Sequence, residues 1–127
     1  MVLAPIRFSQ KRLIARYGPV GAVAARYLEA GLSVRVYHPT RLGPIHVLAW
    51  GHGQRRAVEV YNSPAPPSRE LVERVAEKAR LVGATPVLVL YGSTPAPRGD
   101  ASEAARSLGV KVRRIRPNRL PHDVRPR

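Results

Sequence analysis

The chain has 127 residues, and its 22 Lys+Arg against 8 Asp+Glu give a formal net charge of +14 at pH 7. So lopsided a balance in one small chain points to a polyanionic partner rather than to neutral background. The absence of cysteine excludes disulfides and thiolate metal sites, and no apolar run approaches the roughly 20 residues that span a bilayer.

Hydrophobic residues make up 44%, enough to enclose one core in one domain. Arginine outnumbers lysine 19 to 3 and proline counts 13, a profile of stiff loops that suggests a thermophile, although genome base composition produces the same bias. No stretch reads as a signal peptide, so a cytoplasmic location is expected and a membrane partner is not. Basic residues concentrate at both ends of the chain. Residues 1 to 58 hold nine against the single acid Glu29, and residues 111 to 127 hold seven against Asp123.

In chain order, Ser9 to Tyr17 reads as a short basic helix capped by Ser9, and Gly18-Pro19 interrupts it. Pro19 suits the first turn of a second helix running to Ala30, with Val20, Val23, Ala24, Tyr27 and Leu28 on one face and Gly31 as the stop. Ser33 to Tyr37 alternates as a strand. Ile45 to Trp50 and Arg56 to Tyr61 are two more, joined by the glycine-supplied turn Gly51-His52-Gly53-Gln54. The linker Ser63-Pro64-Ala65-Pro66-Pro67 cannot continue a strand and leads to Ser68, the cap of a helix over Arg69 to Val82. Its buried stripe is Leu71, Val72, Val75, Ala79 and Val82, while the alternating charges from Glu70 to Lys78 read as a solvated face. Pro86 to Tyr91 reads as a central strand buried on both faces. Asp100 and Glu103 resemble a capping box opening a short helix to Leu108, and Val110 to Ile115 is the last strand. From Arg116 onward the chain reads as an extended basic tail.

The order α-β-β-β-α-β-α-β over roughly residues 18 to 115 resembles the PD-(D/E)xK nuclease superfamily, in particular its archaeal Holliday-junction-resolvase-like branch. The resemblance implies a single α/β domain of restriction-endonuclease-like topology, with a mixed central sheet flanked by helices. Residues 1–17 would form a basic helix or arm, 18–116 the nuclease-like domain and 117–127 the tail. In that family a strand carries a metal-binding Asp in a motif like Gly-Pro-x-Asp, and the next strand carries Glu-x-Lys. Here the matching run is Gly43-Pro44-Ile45-His46, followed by Glu59-Val60-Tyr61, so His46 stands for the Asp and Tyr61 for the Lys. The second helix, where many members place a further acid near the start, offers Glu29 at its far end.

Those departures weaken the hydrolytic chemistry. Phosphodiester hydrolysis of this kind needs hard oxygen ligands for Mg²⁺ and a cation beside the attacking water. An imidazole at His46 suits softer metals such as Mn²⁺ better than Mg²⁺, and Tyr61 offers a phenol in place of an ammonium. The resulting expectation is a non-catalytic nucleic-acid-binding relative, without a cofactor, with Glu59, His46 and Tyr61 as vestigial site positions. If the site were active, Glu59 and His46 would hold Mg²⁺ or Mn²⁺ in a metal-dependent endodeoxyribonuclease. Each residue also has a structural reading: Glu59 paired with an arginine of a neighbouring strand, His46 packed in its strand, Tyr61 an ordinary strand aromatic, Trp50 a lid on the core. Metal-free RNA cleavage by a Tyr, His and cation trio draws on Tyr37, His38, His46 and Tyr61, but their spacing fits it poorly.

With few aromatics and no nucleotide-binding glycine pattern, phosphate contact by basic side chains is the expected source of affinity for DNA or RNA. Lys11, Arg12, Arg41, Arg55, Arg56, Arg113, Arg114 and Arg116 are the candidates for that surface. Resolvase relatives are homodimers, so the resemblance implies a dimer. The alternative to both nuclease and binder is a non-catalytic subunit of an RNA-processing or ribonucleoprotein assembly.

Overall fold

Helices α1 (Ala4–Tyr17) and α2 (Pro19–Glu29) are followed by strands β1 (Ser33–His38), β2 (Ile45–Gly51) and β3 (Gln54–Tyr61) in a computed structural model that describes residues 4–117. Helix α3 (Arg69–Leu81), strand β4 (Thr85–Tyr91), helix α4 (Gly99–Ser107) and strand β5 (Lys111–Ile115) complete the order. One five-stranded sheet results, in the order β1-β2-β3-β4-β5. It is antiparallel from β1 to β3 and parallel from β3 to β5.

The connections explain the change of sense. Antiparallel neighbours can share a two-residue turn, whereas parallel neighbours need a crossover, here α3 and α4. Gly51 pairs with Gln54, and the two residues between them both have positive φ, His52 at 53° and Gly53 at 74°. That is the type I′ pattern, whose twist matches a right-handed hairpin.

Helices cover both sheet faces. Val20, Val23 and Ala24 of α2 pack with Val47, Val58, Val60, Val87 and Val89 on one side. On the other, Val72, Val75 and Ala76 of α3 and Ala101, Ala104 and Ala105 of α4 pack with Leu88 and Leu90. The expectation that β4 is buried on both faces therefore holds, although β3 is the middle strand.

Several local expectations are corrected. Helix α1 begins at Ala4, so Ser9 lies inside it and caps nothing; Pro5 supplies a first-turn residue that needs no N–H partner. Helix α4 begins at Gly99 after Arg98, whose side chain makes no cap hydrogen bond, so Asp100 and Glu103 form no capping box. Starting one residue early places Asp100 within the first turn, where the helix dipole still favours its charge. On α2 the buried set includes Gly21 and Ala25, while Tyr27 and Leu28 are half-buried, because the helix is enclosed by α1 as well as by the sheet. On α3, Lys78 is buried instead of lying on a solvated face. The reading of an extended tail concerns residues that, from 118 onward, lie outside those described.

Strand alternation breaks near the end of β1. Tyr37 has φ 55°, a left-handed conformation uncommon for a non-glycine residue. Arg35 and His38, which strict alternation would send to opposite faces, line the same hollow. Ile45, the partner of His38, clusters with Leu48 in the same irregular way.

Helices α1 and α2 cross so closely at Gly21 that a Cβ there would overlap the Leu13 carbonyl oxygen and stand 2.5 Å from its carbon. Replacing Gly21 with Ala is expected to destabilise the fold by about 1–3 kcal/mol, as overpacking does. Urea unfolding checks this, and a variant as stable as the parent would refute the close crossing.

Candidate functional site

At the Glu59 end of the sheet, β2 and β3 part. Their last paired residues toward that end are Val47 and Val58. Beyond them the Val60 N–H donates to His46 Nδ1 at 2.9 Å instead of continuing the backbone ladder. An accepting Nδ1 places the ring proton of neutral His46 on Nε2, and that nitrogen lies 3.7 Å from Glu59 Oε2.

The third member of the cluster comes from α3. Lys78 Nζ is 3.7 Å from Glu59 Oε1 and donates to the Pro44 carbonyl at 2.9 Å. Its side chain is 11% exposed and that of Glu59 15%, so the pair is largely screened from bulk water. The loop from Thr40 to Pro44 arches over the ammonium, and a Cβ added at Gly43 (φ 108°) would lie 3.7 Å from Nζ. On the outer side, the Tyr37 ring meets His46 edge-on at 5.7 Å and Tyr17 at the same distance.

The two ends of the Gly-Pro and Glu-x-Lys patterns thus converge, since His46 and Glu59 are neighbours. Tyr61 is not part of the contact set. It packs against the α3–α4 core, and its hydroxyl reaches toward the Pro66 carbonyl at 3.5 Å. The ammonium beside Glu59 is Lys78, which charge alternation alone would place on a solvated face. The structural reading of Glu59 is corrected in the same way, because its partners are His46 and Lys78 and not an arginine of a neighbouring strand. A signal for Lys78 is present in the sequence: it stands three residues after Val75 and next to Ala79, at the edge of the apolar stripe, in a chain with three lysines. Among the described residues, no group of three or more His, Asp or Glu side chains is placed to hold a metal ion.

The basic candidates divide between the two ends of the sheet. Arg41 lies in the loop over Lys78, and Arg113 and Arg114 sit on β5 opposite Val89 and Leu90, level with the Glu59 end. All three are exposed, and Arg114 Nη1 donates to the Gly92 carbonyl at 2.7 Å. Arg116 follows β5, while Lys11 and Arg12 are exposed on α1. Arg55 and Arg56 belong to the far, hairpin end. Arg55 precedes Glu59 by four strand residues, about 13 Å.

No family model matches this chain, and no curated protein matches it. Solved structures do. A repair endonuclease from Pyrococcus abyssi aligns with TM-score 0.57 and 17% identity over 88% of this chain and 47% of its own. The structure of EndoMS in complex with double-stranded DNA aligns with TM-score 0.55 and 15% identity over 94% and 48%. A protein of unknown function, AF1548, gives TM-score 0.57 and 19% identity over 72% and 54%. The chain therefore spans about half the length of the structures it matches, and its fold is restriction-endonuclease-like. No described helix is long and apolar enough to cross a membrane.

Breaking a largely buried pair strands the remaining charge, which costs about 3–5 kcal/mol when burial is complete. Partial exposure lowers that figure here. Lys78→Met and Glu59→Gln should each destabilise the fold by about 2 kcal/mol, and the double variant by less than the sum, with a coupling of about 1 kcal/mol. A chemical-denaturation cycle with strictly additive effects would show that the two groups do not interact.

Proposed function

We propose that this chain is a nucleic-acid-binding domain, a degenerate relative of the Holliday-junction-resolvase-like nucleases, that grips phosphates without hydrolysing them. The observation that carries the reading is the Lys78 ammonium seated against Glu59. The carboxylate and the ammonium cancel, whereas binding a divalent cation calls for hard anionic oxygens beyond the one carboxylate here. A doubly charged ion about 4 Å from Lys78 would meet repulsion on the order of 8 kcal/mol at an effective dielectric constant near 20, offsetting much of its attraction to a single carboxylate. His46 adds little, because its Nδ1 is engaged by Val60 and its Nε2 carries the proton facing Glu59.

Three further observations support nucleic acid as the ligand. The formal charge is +14, basic side chains occur at both ends of the sheet, and one matched structure of the same fold is a complex with double-stranded DNA. Duplex DNA is accordingly the first probe, with structured RNA as the second.

One feature favours a cleaving enzyme instead. Lys78 supplies an ammonium beside Glu59 that Tyr61 does not, so a working site could draw its cation from α3.

Titrating labelled linear and branched DNA across a salt series separates these readings. Binding should weaken with a log–log slope of about −0.9 per phosphate contacted, and the DNA should stay intact in Mg²⁺ or Mn²⁺. Cleavage that Glu59→Ala and Lys78→Met both abolish would establish the enzyme, and failure to bind DNA or RNA in dilute buffer would reject both.

A further inference from the structure

Helix α3 packs over β3 and β4, reaches β2 through Ala79 beside Ile45 and Leu48, and leaves the same face of β1 open. Along that open face Arg35, His38, Leu48, Trp50 and Arg55 line a hollow of about 370 Å³ that ends at Val82. A second hollow of about 750 Å³ wraps the hairpin end of the sheet, and Gln54, Arg55, Arg56 and Lys111 supply its polar side chains. Trp50 and Arg55 border both, so the two hollows adjoin, and together they are called the channel below.

The chemistry of this channel is one-sided. Four cationic side chains line it, Arg35, Arg55, Arg56 and Lys111, and no carboxylate does. The side chains of Arg35, Arg56 and Lys111 make no hydrogen bond or ion pair with any described residue. Arg55 Nη1 donates to the Val82 carbonyl at 3.0 Å, which holds the guanidinium at the junction of the hollows with one of its five N–H donors engaged. That contact also covers a carbonyl at the C-terminus of α3, the end whose partial negative charge would otherwise repel an anion. Gly51, Gly53 and Gly83 border the second hollow and present no side chain to a ligand entering it.

The Glu59 end also carries exposed cations, Arg41, Arg113 and Arg114, of which Arg113 and Arg114 already donate to backbone carbonyls. Its ammonium is buried and already bonded to Pro44 and paired with Glu59. The two ends lie about 13 Å apart along β3, too far for one phosphate to touch both.

We infer that the hairpin-end channel is the phosphodiester-binding surface of the chain, with a nucleic-acid strand running from Arg35 past Trp50 and Arg55 to Arg56 and Lys111. The assignment rests on nucleic-acid binding as proposed above and centres it on the arginines toward the hairpin, with His38, the partner of Ile45, the lining residue nearest the vestigial hydrolase positions. Trp50, half-buried at the junction, lies where a base could meet its ring, while the four cations take the phosphates.

The test is a charge-matched comparison in the full chain. Arg35→Gln/Lys111→Gln removes two cations from the channel, and Arg41→Gln/Arg113→Gln removes two from the Glu59 end. Affinity is read by fluorescence anisotropy on a labelled DNA duplex and on its single strand. The channel variant should bind at least tenfold more weakly than the other, with its salt slope reduced by about 2, one for each phosphate no longer neutralised. Hydrogen exchange on the unsubstituted protein gives a readout independent of variant folding: DNA should protect the amides of residues 51–56 and 83–85. Equal weakening in both variants, greater weakening in the Glu59-end pair, or protection confined to residues 40–46 overturns the channel while leaving nucleic-acid binding intact. An unsubstituted protein that binds neither probe at low salt overturns both.

Discussion

Among the described residues Lys78 is the one cation taken out of water, and the architecture around it follows from that. A buried ammonium must find oxygen acceptors, and it finds the Pro44 carbonyl at 2.9 Å and the Glu59 carboxylate at 3.7 Å. Meeting the first requires the loop before β2 to fold back over α3, which Gly43 permits by its positive φ. Meeting the second ties α3 to β3 across the layer boundary. The parting of β2 from β3 belongs to the same arrangement, since His46 gives up a backbone pairing to present Nδ1 to Val60 and Nε2 to Glu59.

Charge is thereby sorted in space. At the site end Glu59 and Lys78 compensate each other beside His46, with Arg41, Arg113 and Arg114 exposed around them. The hairpin end carries cations with no acid among them. For a protein of formal charge +14, this distribution matters more than the total, because long-range attraction acts through net charge while local uncompensated donors act at contact.

The aromatic row beside the site has its own logic. Tyr17, Tyr37 and His46 touch in sequence, and Tyr37, the middle ring, has a left-handed backbone. Such a conformation costs of order 1 kcal/mol or more and persists where surrounding packing over-determines it. It also reverses the strand alternation, which brings His38 to the side of Arg35 and so shapes one wall of the channel.

Much of the fold is readable from the residues alone, because its signals are local. The glycine pair around His52 demands a tight hairpin, the Val and Leu run of β4 demands burial on two faces, and Ser68 before an amphipathic stripe demands a helix start, where its hydroxyl accepts from the Leu71 N–H. Glu59 and His46 can be named as neighbours because one hairpin register joins them. What no local pattern contains is contact between distant elements. Lys78 lies 19 residues after Glu59 on a helix whose charges alternate as a solvated face does, and its burial depends on how deeply α3 seats against β3. Gly21 reads as an ordinary helical glycine until α1 is laid across it, and the cations of β1, β3 and β5 form one channel when the sheet sets their strands side by side. Periodicity and turn chemistry determine elements because they act over a few bonds; the site and the channel arise from through-space packing and electrostatics, which exist only once those elements have met.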